Sequence, residues 1–459
     1  MSVTQLPERT TYEPPDTDHL IHSGDEQQPT PSSTPATGEW STAKRIGFRF
    51  VFSYFVLYLF PFPLGVIPGS WNPARFWNQL DQWMSLWTET HLFGLAKPVP
   101  IVPTGSGDTM AQWASQVNWI LLALGATIVW SLLDRRRREY ARLAQWFQVY
   151  VRFGLASIMF GYGFAKIVPT QMQRPTLERL VEPWGEFSPM GVLWSFMGFS
   201  NVYQIFTGIG EALGSLLIVF RRTTTLGALL LCGVLANVAL LNYTFDVPVK
   251  LFSTNLLLMA VFLAAPDAKR LIDLLVLNRP AAPRPVTPLF VTARARGIAA
   301  VLAVLLVSYT IYNDVKFGLT YYRETIGPNA PKPPVYGIWD VESLTKNGVD
   351  QPPLLSDSTR VRRVIFGGLS RATFRLMSDS VERYQMKVDS VKHELALTGR
   401  FDPKNARTLS YTRVDPTHLV LAGKLGTDSL VMRLRRYDEN RFLLMNRGFH
   451  CIQELPFNR

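Results

Sequence analysis

From Ile46 onward apolar segments recur along the chain, and seven of them read as membrane-crossing helices: residues 46–68, 116–133, 147–168, 202–220, 226–243, 251–266 and 298–312. A helix needs about 20 apolar residues to cross the hydrocarbon core, with about 17–25 tolerated. The second, sixth and seventh segments fall at or below the short end of that range. After Phe317 the period changes from helical to alternating, with short runs bounded by Gly, Asp, Asn and Pro. Nine strands are expected, at 338–343, 362–366, 372–377, 382–388, 395–399, 408–413, 418–422, 430–435 and 441–444. Strands at such regular spacing indicate an all-β barrel or sandwich. Consecutive hairpins without a long crossover favour an up-and-down barrel. Ahead of the first helix, residues 1–39 are polar and rich in Pro, Ser and Thr, and they carry no apolar period. A disordered tail is expected there, and a signal peptide is excluded because its apolar core is missing. The resulting layout is a tail (1–39), a membrane α-helical bundle of about seven helices (40–317) and an all-β domain (330–459).

Composition agrees with a membrane bundle joined to a polar domain. Hydrophobic residues make up 47% of the 459 and charged residues 18%, against about 25% charged in average soluble domains. The net charge of +12 would suggest nucleic acid in a soluble protein, but here it follows the loops. With the N-terminus inside, inner loops carry 15 Lys and Arg (44, 45, 135–138, 142, 221, 222, 269, 270, 279, 284, 294, 296), against 6 outside (75, 97, 166, 174, 179, 250). That bias orients a multi-pass protein with a cytoplasmic N-terminus and a periplasmic or extracellular C-terminal domain. The expected partners are therefore the lipid bilayer and membrane or periplasmic proteins, not nucleic acid. In the first outer loop Trp71, Trp77, Trp83 and Trp87 suit an interfacial helix, with Trp83 and Trp87 one turn apart. Residues 267–277 read as an amphipathic surface helix, and the Pro-rich 279–288 as a linker to the last span.

Two cysteines exclude a disulfide scaffold, a four-cysteine zinc site and a Cys-ligated cluster. Cys232 falls in a span and Cys451 in the β domain, which disfavours a disulfide between them. The six histidines show no metal-site spacing, and there is no CxxC, CxxCH or strand-linked GxGxxG. Candidate chemistry lies in the spans, where polar groups are costly. The third holds Arg152, Tyr162 and Lys166; the fourth, Gln204 and Glu211; the fifth, Asn237 and Asn242, with Asp246 and Lys250 beyond it. Arg152 is close enough to a span end to snorkel. Glu211 is mid-span and must be protonated or paired, while Lys166 lies at a different depth, near the outer end of its span. Asp246 and Lys250 are placed to bond directly, with Pro248 breaking any helix between them. These groups read either as neutralising pairs that hold the bundle, as a pocket for a lipophilic head group such as a quinone, or as an ion or proton path.

Arg152-Phe-Gly154, Phe160 and Gly161-Tyr-Gly163-Phe-Ala-Lys166 resemble the R-x-x-x-G…F…G-x-x-K helix of the DoxX family, with a compressed Arg–Gly spacing. Gly208-Ile-Gly210-Glu211-Ala-Leu-Gly214 resembles that family's G-x-x-E-x-x-G helix. The resemblance covers about residues 141–266, a four-helix unit. It implies a bacterial inner-membrane protein whose relatives are linked to quinone-coupled sulfur oxidation or oxidative-stress complexes, with Arg152, Lys166 and Glu211 at the family's polar positions. This chain departs from the unit by a span before it, the Trp-rich loop, and a span leading to the β domain. Gly337-Ile338-Trp339 resembles the GxW of lipocalin-like barrels, in which the Trp closes one end. A barrel of about eight strands either holds a small ligand or is filled by its own side chains, and the sequence leaves both open.

The resemblance implies a subunit or partner of a membrane redox system, binding a quinone-like or other lipophilic ligand around Lys166, Glu211 and Asn237. Electrons would come from a partner protein, since no cofactor motif of the chain's own is evident. A non-enzymatic anchor displaying a ligand- or partner-binding barrel is the alternative. A transporter lacks the expected inverted repeat. A membrane acid/base enzyme with Lys166 or Lys250 as base rests on architectural analogy with vitamin K-dependent carboxylases. Whether the chain catalyses a reaction stays open at this point. The orientation is testable in a Cys451→Ser background. Arg136→Cys is expected to resist an impermeant thiol reagent in intact cells and Asn347→Cys to react; equal labelling would contradict the seven-span topology.

Overall fold

A computed structural model describes residues 39–66, 73–283, 288–399, 402–425 and 427–458, with the side chains of 402–406 and 425 excepted. The N-terminal tail, Trp71 and Arg284 lie outside the described residues, so the readings made on them are not addressed.

The first helix, α1 (Thr42–Leu59), starts at Ser41, whose hydroxyl accepts from the Lys44 amide at 3.2 Å. Then come α2 (Pro73–His91) and α3 (Met110–Leu133). Helix α3 begins earlier than the hydropathy suggested, because Thr109 and Gln112 form a reciprocal capping box. Next are α4 (Ala141–Ile167), the five-residue α5 (Leu177–Val181), α6 (Pro189–Phe199) and α7 (Asn201–Val219). The helical part ends with α8 (Thr224–Thr244), α9 (Lys250–Ala264), α10 (Ala268–Leu275) and α11 (Ala293–Tyr321). Among the described residues five helices are long and apolar enough to cross a membrane: α3, α7, α8, α9 with its continuation to Leu275, and α11 running on to Ile326. The expected seventh segment is thus longer than 298–312. Helices α1 and α4 occupy the expected first and third segments, but each carries three cations, Lys44, Arg45 and Arg49 in one and Arg142, Arg152 and Lys166 in the other. The amphipathic pattern after residue 267 does form a short helix, α10. Helix α6 was not anticipated, since its 11 residues are too few for a span.

Helices α1, α4, α7, α8 and α9 share one core, in which Phe55, Phe147, Val151, Met159, Ile218, Leu231 and Met259 are buried. The charge in α1 is absorbed locally. Arg49 is 5% exposed and donates to the Tyr140 hydroxyl at 3.0 and 2.7 Å, the Ser131 hydroxyl at 2.8 Å and the Asp134 carbonyl at 2.9 Å. Every guanidinium nitrogen of Arg49 therefore has a partner, which a buried cation requires. Helix α11 stands apart, leaning on α4 with none of its most apolar stretch buried. Such an apolar surface suits lipid rather than water. In α2, Trp83 and Trp87 are exposed on the side away from buried Ser85, Thr88 and Glu89, while Trp77 meets Phe60 edge-on at 5.2 Å.

The C-terminal part is a closed antiparallel barrel. Its strands are β1 (Gly337–Lys346), the two-residue β2 (Val349–Asp350), β3 (Val361–Phe366), β4 (Arg371–Leu376), β5 (Val381–Asp389), β6 (Glu394–Gly399), β7 (Asp402–Arg413), β8 (His418–Leu425) and β9 (Asp428–Tyr437). Sequential pairing from β3 to β9 is closed by β1, which bonds to both β3 and β9, so eight strands make the wall. Closure removes the unpaired edges that invite aggregation. The ninth expected strand, 441–444, is not one. It falls on a 3-10 turn (Glu439–Arg441) and a helical turn (Leu443–Asn446), because the barrel is already closed by β9.

The choice between a hollow and a filled barrel is settled by packing. Trp339, Phe366, Phe374, Met386, Leu397 and Leu421 belong to one buried cluster inside the wall. The Trp339 ring is 0% exposed and its Nε1–H donates to the Val335 carbonyl at 2.9 Å, which removes the cost of burying the indole nitrogen. Tyr384 donates to Glu382 and accepts from Arg407, each at 2.7 Å, and burial with the adjacent carboxylate pushes its phenol up to about 12. The barrel is tied to the helices by α5: Leu177 packs on Ile338 and Ile365, and Arg375 Nη1 donates to the Val181 carbonyl at 2.8 Å. Residues 332–459 expressed alone are expected to give a β-type circular-dichroism spectrum. Trp339→Ala should lower the stability of that segment by about 3–5 kcal/mol in urea unfolding; an unchanged midpoint would count against the filled barrel.

Candidate functional site

The close approach of α4 and α7 is built on glycine. A Cβ on Gly208 would lie 2.6 Å from the Gly163 carbonyl oxygen, and one on Gly163 would lie 2.9 Å from the Ala212 amide nitrogen. Neither helix can carry a side chain there and keep this spacing. One turn from these contacts, at i+3 on each helix, sit Lys166 and Glu211. Lys166 Nζ donates to Glu211 Oε1 at 2.8 Å and Oε2 at 2.7 Å, with both side chains almost fully buried. The sequence suggested different depths for the two. The structure brings them level because α7 projects beyond the end of α4: Gly208 faces Ile167, the last residue of α4, so residues 201–207 extend past it by about 10 Å at 1.5 Å per residue.

The pair lines a cavity of about 790 Å³ between α4, α6, α7 and α8. Tyr162 and Asn237 line it as well, so four of the eight candidates meet at one place. Tyr162 also stands 5.7 Å from the Lys166 ammonium, measured to the ring centre. Gln204, fully buried, lies behind this wall and accepts from the Met172 amide at 3.1 Å, fixing the segment that follows α4; its Nε2 has no partner. Asn237 is exposed at the cavity margin. The residue of α8 that points a buried amide into the cavity is Asn242, 6% exposed with an unpartnered Nδ2. Its signal in the sequence is its place on the buried stripe Leu231, Leu235 and Ala239. Trp194 and Phe196 of α6, together with Phe206, supply apolar wall. They escaped the sequence reading because they carry no charged or amide group.

The other three candidates lie elsewhere. Arg152 is 14 residues before Lys166, about 21 Å along α4. Its Nε donates to the Ile218 carbonyl at 2.6 Å and its Nη2 to the Val219 carbonyl, so it caps α7, whose last carbonyls lack helical partners. Asp246 and Lys250 do bond directly, at 3.0 Å, with Asp246 in a left-handed turn at φ 51°. This pair belongs to the cap of α9, which a residue missed in the sequence completes. Asp108 accepts from the Lys250 amide at 2.8 Å and the Leu251 amide at 3.0 Å, and its carboxylate lies 3.8 Å from Lys250 Nζ. It serves as an N-cap supplied from another loop. Among the described residues no three His, Cys, Asp or Glu side chains gather as metal ligands, and Cys232 and Cys451 are free thiols.

Over 119 residues, 26% of this chain, the sequence is 36% identical to Uncharacterized protein YwoB of Bacillus subtilis (strain 168), covering 75% of that protein. The chain belongs to the YwoB family. No family model matches it, and no solved structure does. The kinship with YwoB establishes common descent for the aligned part and brings no named ligand with it.

The geometry predicts an asymmetric response to substitution. Lys166→Met or Glu211→Leu alone strands a buried charge and is expected to cost about 3–5 kcal/mol, whereas the two together should recover most of it. Thermal unfolding of the purified chain in detergent checks this. Single variants that melt with the wild type would show that the pair is solvated and holds nothing.

Proposed function

We propose that this is a seven-span, DoxX-like protein of the bacterial inner membrane whose helical cavity binds a quinone-like lipophilic ligand, as a subunit or partner of a membrane redox system. The observation that carries the reading is the cavity's polar face. The Lys166–Glu211 pair has no net charge, and an ammonium has three N–H donors of which Glu211 engages two. With the unpartnered Asn242 Nδ2, the face offers donors to a neutral group that only accepts, such as a ring carbonyl. Most of the remaining wall is apolar, with Gln171, Thr207, Asn237 and Ser253 as further polar points, which is the usual make-up of a site for a largely hydrophobic ligand. Helices α1 and α4 count as the first and third spans because Arg49 is hydrogen-bonded by hydroxyl and carbonyl oxygens and Arg152 by carbonyl oxygens, rather than left bare.

A second reading, a non-enzymatic anchor, is supported by the filled barrel. With its interior occupied, the barrel offers a partner its outer surface and loops rather than a lumen for a ligand. Purification from native membranes in mild detergent separates the two. Solvent extraction of the wild-type chain is expected to yield a quinone with its characteristic ultraviolet change on borohydride reduction, and Glu211→Gln should fold with a lowered melting temperature and lose it. A stoichiometric partner protein with no extractable quinone would favour the anchor.

A further inference from the structure

A second cavity, of about 890 Å³, lies on the other side of Tyr162 and Phe252, which line both. Its walls come from α1, α2, α3, α4, α9 and α11, and its chemistry is the reverse of the first. Two carboxylates line it, Asp81 of α2 and Asp314 of α11, and no Lys, Arg or His does. Asp81 Oδ2 accepts from the Ser115 hydroxyl at 3.0 Å, but Asp81 Oδ1 is buried without a partner, and so is Asp314 Oδ2. Asp314 lies against α4 beside Gly161, where a Cβ would be 3.8 Å from Asp314 Oδ1, an ordinary contact. Near Asp81 the Trp119 indole N–H is a further neutral donor, while the Gln116 and Asn255 amides are engaged elsewhere. Tyr54, Gln116 and Asn255 form a closed ring, Gln116 Nε2 donating to the Tyr54 hydroxyl at 2.5 Å, Asn255 Nδ2 donating to Gln116 Oε1 at 3.1 Å, and the Tyr54 hydroxyl donating to Asn255 Oδ1. Aromatic faces of Tyr58, Trp119, Tyr162, Phe252 and Tyr309 complete the wall.

Each of these features asks for the same occupant. Carboxylate oxygens without donors call for N–H groups carrying positive charge, which bond to carboxylates about twice as strongly as neutral donors. Aromatic faces attract cations and accommodate apolar bodies. The volume exceeds what an inorganic ion fills and lies within the usual range for small organic ligands, about 300–1,000 Å³. We propose that this cavity binds an organic ammonium ion with an apolar, ring-bearing body, its N–H groups directed at Asp81 and Asp314. The site is separate from the quinone-like pocket, and neither reading depends on the other.

The test uses the full chain in nanodiscs of phosphatidylcholine, titrated calorimetrically with 2-phenylethylamine, a cation at neutral pH, and with its neutral isostere 2-phenylethanol. Saturable binding of the amine about tenfold tighter than the alcohol is expected, a difference of about 1.4 kcal/mol. Asp81→Asn and Asp314→Asn should each weaken the amine and leave the alcohol unchanged, and the double variant should bind both alike. Equal affinity of the two compounds for the wild-type chain would overturn the proposal without any variant, so a failure of the variants to fold does not protect it. Undiminished amine binding by the double variant, at wild-type melting temperature, would overturn it too.

Discussion

A carboxylate enclosed by helices has to be neutralised on the spot, and in this protein that requirement shapes the bundle. Glu211 is met by Lys166 with both oxygens engaged, and the contact works only at the short α4–α7 distance that Gly163 and Gly208 permit. Because the pair sits at the end of α4, helix α7 has to start well beyond it, and the chain fills the gap with α5 and α6. Those two short helices then do the rest. One forms part of the cavity wall beside the ion pair, and the other lies on the barrel. The same electrostatic constraint thereby accounts for a pocket and for the attachment of the second domain.

Three further charges are absorbed at helix ends. Arg49 takes up the Asp134 carbonyl at the end of α3, and Arg152 takes up the last carbonyls of α7. Asp108 supplies the missing acceptor for the first amides of α9. Each of these couples a charge of one sign to the helix terminus of opposite partial charge, where it satisfies groups that helical bonding leaves over. Such residues look functional in a linear reading because they are charged and lie in apolar sequence. Their partners, being backbone atoms, have no sequence signature. Asp81 and Asp314 are different: they come from distant helices, meet in one cavity and keep unpartnered oxygens.

The barrel obeys a different logic. Its strands are held by closure and by a core of alternating inward side chains, among which Trp339 is fully buried. This buried cluster packs the strands from inside the wall. The contact of α5 with β1 and β3 fixes the barrel beside the helices through apolar side chains and one guanidinium–carbonyl bond. The segment that ends in α5 begins at Gln171 and Met172 in the cavity wall, so one short segment touches both cavity and barrel.

How much of this could be read in the chain depends on the range of the interaction. Periodicity is a local property, so the long apolar helices, the change at Phe317 and eight of the nine expected strands were legible from spacing, and so was the need of Glu211 to be protonated or paired. The 441–444 run failed because its alternation is indistinguishable from a strand until closure by β9 leaves it no partner. Depth was misjudged for Lys166 and Glu211 because a helix's offset along its neighbour is set by Gly163, Gly208 and the path through α6, not by position within an apolar run. Asn237 and Asn242 lie in the same span with the same chemistry, yet only Asn242 falls on the buried face. The acidic cavity was invisible in the sequence, since Asp81 and Asp314 are 233 positions apart and only tertiary packing brings them to one cavity. Sequence determined which segments form and which charges need partners; the tertiary structure decided who those partners are, because a partner is a matter of distance in space.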